Sequence, residues 1–345
     1  MAHLELSLLG GFVTRLDDQP VGGFVSDKAR ALLAYLVVEE DRPHRRESLA
    51  ALLWPEHPTA SARANLSQVL FNLRAILGDR ARAGTPGEKE SAVPFLSVGG
   101  EAIQFNPASD HHVDVTSFTS LLHSCAGHAN PPGEACEICV RRLDEAVALY
   151  RGSFLQDLAI GDSVPFEEWS AVWRERLHRL AIEALQHLAA THEHHGEVER
   201  GLACAWRQVE LDPWREDAQR QLMRLLALSG QRSAALAQYE VCRRALAQEL
   251  GVEPERETVA LYEDIRQGTL AGRSPLLPLP PSPARGGGGV GEGRGEGQLA
   301  TGPTLTEVEA LPEGEEAPEA PRPFFVAREE ELGQLDRWLG MALSG

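Results

Sequence analysis

Residues 59–78 read TASARANLSQVLFNLRAILG, and their periodicity decides how the N-terminal third of the chain is built. Leu66, Leu70, Leu73 and Leu77 fall at i, i+4, i+7 and i+11, one apolar stripe at helical spacing. The run stops at Leu77-Gly78, and glycine is the usual residue just past a helix end. The spacing therefore predicts a helix over about 59–78 with its leucines turned inward. Ser61, Asn65, Gln68 and Asn72 repeat the same spacing on a second stripe, flanked on its other side by Arg63, Ser67 and Arg74. An exposed helix is ordinarily coated with Glu and Lys, yet no acid lies between Glu56 and Asp79. Asn and Gln can bond bidentately to adenine in the major groove, and Arg to guanine or to phosphate. The pattern points to a helix that reads DNA.

The flanking sequence supplies the rest of a small domain. Residues 4–25, LELSLLGGFVTRLDDQPVGGFV, hold two short alternating runs broken by Gly-Gly and Asp-Asp, which predicts small antiparallel strands. Ala31, Leu32, Ala34, Tyr35 and Val38 predict a helix over about 27–39. Ser48, Leu49, Leu52 and Leu53 predict a short helix ending at Trp54-Pro55, since proline disfavours a helical residue before it. After the third helix, a polar loop (79–92) leads to PFLSVGGEAIQFNP (94–107), two alternating runs around a Gly-Gly-Glu turn. Strands, three helices and a hairpin, in that order over 1–110, make a winged helix-turn-helix domain. Arg42, Arg45 and Arg46 precede the second helix, where they and its N-terminus are placed to meet phosphate.

From about 139 to 267 the pattern is helical almost throughout. Self-comparison finds a shift of 34: Gly196 falls on Gly230 and Ala203 on Ala237. That is the tetratricopeptide period, in which a helix pair buries its apolar face only by stacking on its neighbours. The expected fold class is thus mainly α with a small β part, a winged helix followed by tetratricopeptide-like repeats over 111–270. Residues 271–321, rich in Pro, Gly and acids, have too few apolar groups to order and read as a disordered linker. A short amphipathic helix, about 328–343, follows it.

The formal charge of −18 is unevenly spread: residues 1–110 carry −3, residues 111–267 carry −9 and residues 268–345 carry −6. Within the first block, residues 41–82 hold seven Arg against four acids, so the acidity lies away from the reading helix. No run approaches the roughly 18 apolar residues of a membrane span, and no signal segment opens the chain, so a cytoplasmic protein without membrane contact is expected. Neither G-x-S-x-G nor H-E-x-x-H occurs, and the chain reads as no enzyme. Trp169/Trp173 and Trp206/Trp214 fit packing among the repeats, and His192, His194 and His195 read as solvated residues at a helix C-terminus.

The motifs LELSLLGGF (4–12), KARALLAYL (28–36), HRRESLAALLWPE (44–56) and ARANLSQVLFNLRAILGD (62–79) continue into LDEAVALYRGSFL (143–155), RLHRLAIEALQHLA (176–189) and QELGVEPERETVALYEDIR (248–266). Together they resemble the DNA-binding and bacterial transcriptional activator domains of antibiotic-regulatory-protein (SARP) type regulators. The resemblance implies a winged helix of the response-regulator kind, binding to repeated promoter sites on double-stranded DNA as a dimer or tandem pair, and contact with RNA polymerase. Phe71 departs from it, standing at an outward-leaning position where winged-helix relatives often place Arg. Residues 322–345 are similar to the segment that precedes the phosphate-binding loop in larger regulators fused to an ATPase. The chain stops before any G-x-x-x-x-G-K-[ST], so a truncated start of such a region is expected. The alternative from another class is a repeat scaffold for protein partners, with the winged helix as a docking module.

One cluster falls outside this frame. Cys125-x-x-His128 and Cys136-x-x-Cys139 are two short-spaced pairs separated by a turn-forming stretch, and His123 could replace one member. Thiolate and imidazole at this spacing suit tetrahedral zinc. A redox-responsive thiol pair or inert residues are the other readings. Cys204 and Cys242 lie on repeat helices and are expected in the core.

Overall fold

The computed structural model describes residues 2–79, 93–126 and 136–270; the expected linker over 271–321 and the segment 322–345 lie outside them. The chain opens with an antiparallel meander of β1 (Leu4–Ser7), β2 (Val13–Leu16) and β3 (Gln19–Pro20). Leu4 and Leu6 point into the core while Glu5 and Ser7 lie at its edge, the period-two alternation of a half-buried strand. Helices α1 (Asp27–Val38), α2 (Arg46–Leu53) and α3 (Thr59–Ile76) follow. A second sheet in the order β4-β6-β5 holds the hairpin of β5 (Leu96–Val98) and β6 (Ala102–Phe105) against β4 (His44–Arg45). Asp79 is buried and its carboxylate accepts the Phe95 and Leu96 amides, tying the end of the α3 segment to the start of this hairpin.

These elements stand where the sequence placed them, with one addition. Strand β7 (His111–Val113) returns to lie parallel to β1, completing a sheet of order β3-β2-β1-β7. The helical region therefore starts at Asp114 rather than at residue 111.

That region consists of α4 (Asp114–Ala126), α5 (Glu137–Leu149), a 31-residue α6 (Val164–His194), α7 (Val198–Leu211), α8 (Glu216–Leu228), α9 (Arg232–Glu249) and α10 (Arg256–Gln267). The 34-residue shift has a physical origin. Gly196 and Gly230 end their helices at φ of 73° and 79°, a left-handed conformation that glycine adopts without a Cβ penalty. The next amide reaches back in both cases, Glu197 N to His192 O (2.8 Å) and Gln231 N to Leu226 O (2.9 Å). This is the bond pattern of a glycine-terminated helix, used twice to start a new helix. Buried glutamines hold the register of the stack: Gln208 donates to Gln221 at 2.9 Å and Gln238 to Gln219 at 2.7 Å.

One expectation for a side chain is corrected here and another extended. His192 is 1% exposed, not solvated; its Nδ1 lies 2.8 Å from Glu197 Oε2, so a buried ring bridges the turn between α6 and α7. Trp169 and Trp173 pack within the helical region as expected, against Phe154 and, for Trp169, Phe166, and they also reach the winged helix. Their Nε1 groups donate to one carboxylate oxygen, Glu39 Oε1, at 3.0 and 3.3 Å, and Trp169 also contacts the Tyr35 ring of α1. Trp206 and Trp214 are 42% and 46% exposed.

The winged helix and the first repeat helices thus share a core. Its buried residues run from Leu4 through Phe105 and Phe118 to Ala181. Asp114, at the start of α4, accepts the Leu8 and Leu9 amides at 2.8–3.0 Å and the Arg151 guanidinium at 2.9 Å. Burial pushes its carboxyl above the ordinary range, and these donors pull the other way. The backbone continues the joint, with Leu155 N to Leu8 O and Gln156 N to Gly10 O, both 2.9 Å. Gly10 stands at φ 114°, a backbone conformation that residues with a Cβ rarely adopt, where the two segments meet. Lys28 pairs with Asp162 at 2.8 Å, and Ser163 Oγ donates to the Leu52 carbonyl.

Glu39→Ala removes the acceptor of two partly buried indole N–H groups, and leaving such donors unsatisfied costs about 1–3 kcal/mol. Urea unfolding monitored by tryptophan fluorescence should show that loss; an unchanged midpoint would mean that the shared carboxylate does not hold the joint.

Candidate nucleic-acid interface

Helix α3 has no acid in its first turn, and its buried residues are Ala62, Leu66, Val69, Leu70 and Leu73. With that face inward, Ser61, Arg63, Ser67 and Gln68 are exposed. The centre of the outward arc, however, is not the amide stripe read from the sequence. It is an apolar line of Ala60, Ala64, Phe71 and Ala75, all exposed, with Ser61 and Gln68 on one flank and Arg63 and Ser67 on the other. Val69, buried beside Leu66 and Leu73, shifts the inward face toward the amide stripe and carries Asn65 and Asn72 to its edge, where both are half-buried.

Asn72, expected as a base-reading residue, is engaged within the fold. Its amide donates to the Gly23 carbonyl at 3.0 Å and accepts the Val25 N–H at 3.3 Å, pinning the loop that enters α1. Arg46, expected to meet phosphate, is engaged likewise. Its Nε and Nη2 donate to the Gly99 carbonyl at 3.3 and 3.2 Å, and its own N–H bonds the Glu101 carbonyl at 2.9 Å. It clamps the wing turn to the start of α2. Sequence spacing reveals neither role, because both partners lie 45 or more residues away, on elements joined only by the fold.

The remaining arginines differ in what holds them. Arg45 projects from β4 next to the N-terminus of α2 and is exposed; its backbone pairs with Ala102. Arg42 is exposed and sits 3.5 Å from Glu39, the same carboxylate that holds the two tryptophans. Arg63 pairs across to Glu47 of α2 on the surface. Arg74 is half-buried, and its Nε has no hydrogen-bond partner among the described residues. Ser67 Oγ donates to the Arg63 carbonyl at 2.9 Å. The wing tip, Gly99-Gly100-Glu101, is exposed and carries an acid in place of a cation. Exposed guanidinium groups therefore cluster around α2 and α3 and not at the wing.

The cysteines lie apart from this face. Cys125 is on the last turn of α4, a helix that lies before the 139–267 helical pattern and has Asp114 in its first turn. Cys136 is the N-cap of α5, its sulfur accepting the Cys139 N–H at 3.4 Å. The Cys125 sulfur lies 3.9 Å from the Cys139 carbonyl, and burial, with Cys139 beside it, pushes the Cys125 thiol up to about 11. His128 lies outside the described residues, and among those described no group of three or more candidate ligands is gathered for a metal. Cys242 is buried and Cys204 half-buried, on α9 and α7.

Comparison with known proteins agrees with this architecture. Residues 113–266, α4 to α10, match the model of the bacterial transcriptional activator domain. The chain is 30% identical over 278 residues to the transcriptional regulatory protein EmbR of Mycobacterium tuberculosis, a match covering 76% of this chain and 63% of EmbR. The chain therefore spans somewhat less than two thirds of that relative. It is 29% identical to the transcriptional regulatory protein MoaR1 of the same organism, over 77% of each chain. A solved structure of M. tuberculosis EmbR, in complex with a low-affinity phosphopeptide, superposes with a TM-score of 0.57 at 26% identity, covering 78% of this chain and 66% of that one. The winged helix, the shared core and the matched activator domain are thus what the chain has in common with these transcriptional regulators.

Proposed function

We propose that the chain is a sequence-specific DNA-binding transcription activator in which α3 enters the major groove and Arg45 and Arg42 meet the backbone beside it. The observation that carries this is the outward face of α3: acid-free along its whole length, on a winged helix whose exposed arginines surround it. Gln68 and Ser61 on one flank and Arg63 on the other supply the donors and acceptors that base edges recognise. Arg63 leaves Glu47 for a phosphate or a guanine, and Asn65 and Arg74 serve at the margins. Binding to repeated promoter sites as a dimer or tandem pair, contact with RNA polymerase and a cytoplasmic setting belong to the same proposal. The relatives' names as transcriptional regulators support it. So does the finding that no described helix is long and apolar enough to cross a membrane. The proposal assigns no catalytic activity to the chain. The exposed Trp206 and Trp214 favour a second role for the repeats as a scaffold for a protein partner.

Selection from a pool of random duplexes should yield a preferred sequence. Gln68→Ala is expected to lose about 1–3 kcal/mol on it and to relax discrimination at one base pair. Arg45→Ala should weaken all duplexes alike and make the plot of log affinity against log salt shallower by about 1. Binding insensitive to salt, or no preferred sequence, would leave the scaffold role standing in its place.

Zinc held by Cys125, His128, Cys136 and Cys139 is a separate proposal, supported by the hairpin of α4 and α5 bringing Cys125 and the Cys136/Cys139 pair to one end. Metal analysis of reduced, gently purified protein should return about one equivalent, since structural zinc sites of four such ligands bind tightly at neutral pH. No zinc would assign these thiols to helix capping and packing.

A further inference from the structure

The geometry points to a methyl-reading strip on α3, in which Ala60, Ala64, Phe71 and Ala75 contact the C5 methyl groups of thymines, with Phe71 as the specificity-determining residue. The inference rests on the DNA-binding reading above and names what the centre of that face recognises. The inward face, set by Leu66, Val69, Leu70 and Leu73, fixes the opposite arc at about 100° per residue. Ala60, Ala64, Phe71 and Ala75 lie on the midline of that arc and all are exposed. Phe71 is 58% exposed, a higher value than for Trp206 or Trp214. A single exposed apolar residue is ordinary, but a line of four framed by Gln68, Ser61, Arg63 and Ser67 is a patterned surface.

Two kinds of occupant could cover such a line, and charge and area select between them. A protein face would need far more apolar surface than one phenyl ring and three methyl groups, since stable interfaces bury about 800 Å² on each partner. The strip is instead narrow, the width of one helix, and bordered by guanidinium groups suited to a polyanion. In the major groove thymine presents an apolar group, its C5 methyl, which Ala and Phe side chains meet by direct contact. Gln68 precedes Phe71 by three residues, a rise of about 4.5 Å along the helix. That is close to the spacing of about 3.4 Å between stacked bases. An adenine bonded by Gln68 would therefore neighbour the thymine under Phe71.

The test uses the full chain and the duplex obtained by selection, with each thymine replaced in turn by deoxyuridine, which removes the methyl group and nothing else. One or two positions in each half-site should weaken binding about fourfold, the factor for withdrawing one methyl-sized group from apolar contact. In Phe71→Ala the central one of these positions should become insensitive, while discrimination at the Gln68 base pair persists. Phe71→Leu, still apolar, should keep part of the sensitivity. Thermal melting of both variants checks that they fold. The inference is overturned if no thymine responds to loss of its methyl, or if Phe71→Ala retains the wild-type response. Sequence-selective binding with no methyl response would sink this inference alone; a chain that selects no sequence would sink the DNA-binding reading with it.

Discussion

The Asp114 carboxylate is the contact on which the rest of the arrangement depends. Removed from water at the start of α4, it accepts two amides from the end of the first strand and a guanidinium from the α5–α6 connection. A buried carboxylate tolerates that position only when its oxygens are bonded, and these donors meet that need. By holding Leu8 and Leu9, it lets the segment after α5 add its own backbone bonds to Leu8 and Gly10. The motifs LELSLLGGF and LDEAVALYRGSFL, more than a hundred residues apart, are thus one joint. Farther along, Glu39 gathers Trp169 and Trp173 against α1, beside Arg42, one of the arginines proposed to meet the DNA backbone. The winged helix is thus joined to the first helices of the activator region by a shared core and by these polar contacts.

Much of this was legible in the sequence, and the limits of that reading are physical. Helix positions, the wing hairpin and the 34-residue repeat followed from local rules: leucine spacing, glycine past a helix end, alternation around a Gly-Gly turn. Local rules cannot say which face of a helix a distant loop will cover. Asn72 has the same spacing as Gln68, yet the loop of Gly23–Val25 lies over one and not the other. Arg46 sits one residue from Arg45, yet β4 ends between them, so one points to solvent and the other to the wing. Strand β7 escaped notice because three residues carry too little periodicity, and its partner is the first strand of the chain.

The outward face of α3 shows why an exposed apolar residue can be more informative than an exposed polar one. Polar side chains on a surface need no explanation, because water satisfies them. A phenyl ring that keeps more than half of its surface in water at the centre of a helix face, bordered by hydroxyl, amide and guanidinium groups, gains by covering that surface with another apolar group. The wing tip carries the acid Glu101, and the guanidinium beside it, Arg46, is bonded to the Gly99 carbonyl, so the proposed recognition is assigned to α3 and to Arg42 and Arg45.

Amide hydrogen exchange of the full chain, with and without a selected duplex at saturating concentration, tests the central claim most directly. The account predicts new protection in residues 42–48 and along α3, with α7 to α10 unchanged. Protection confined to the repeat helices, with α3 exchanging as in the free protein, would contradict it and make the winged helix a docking module.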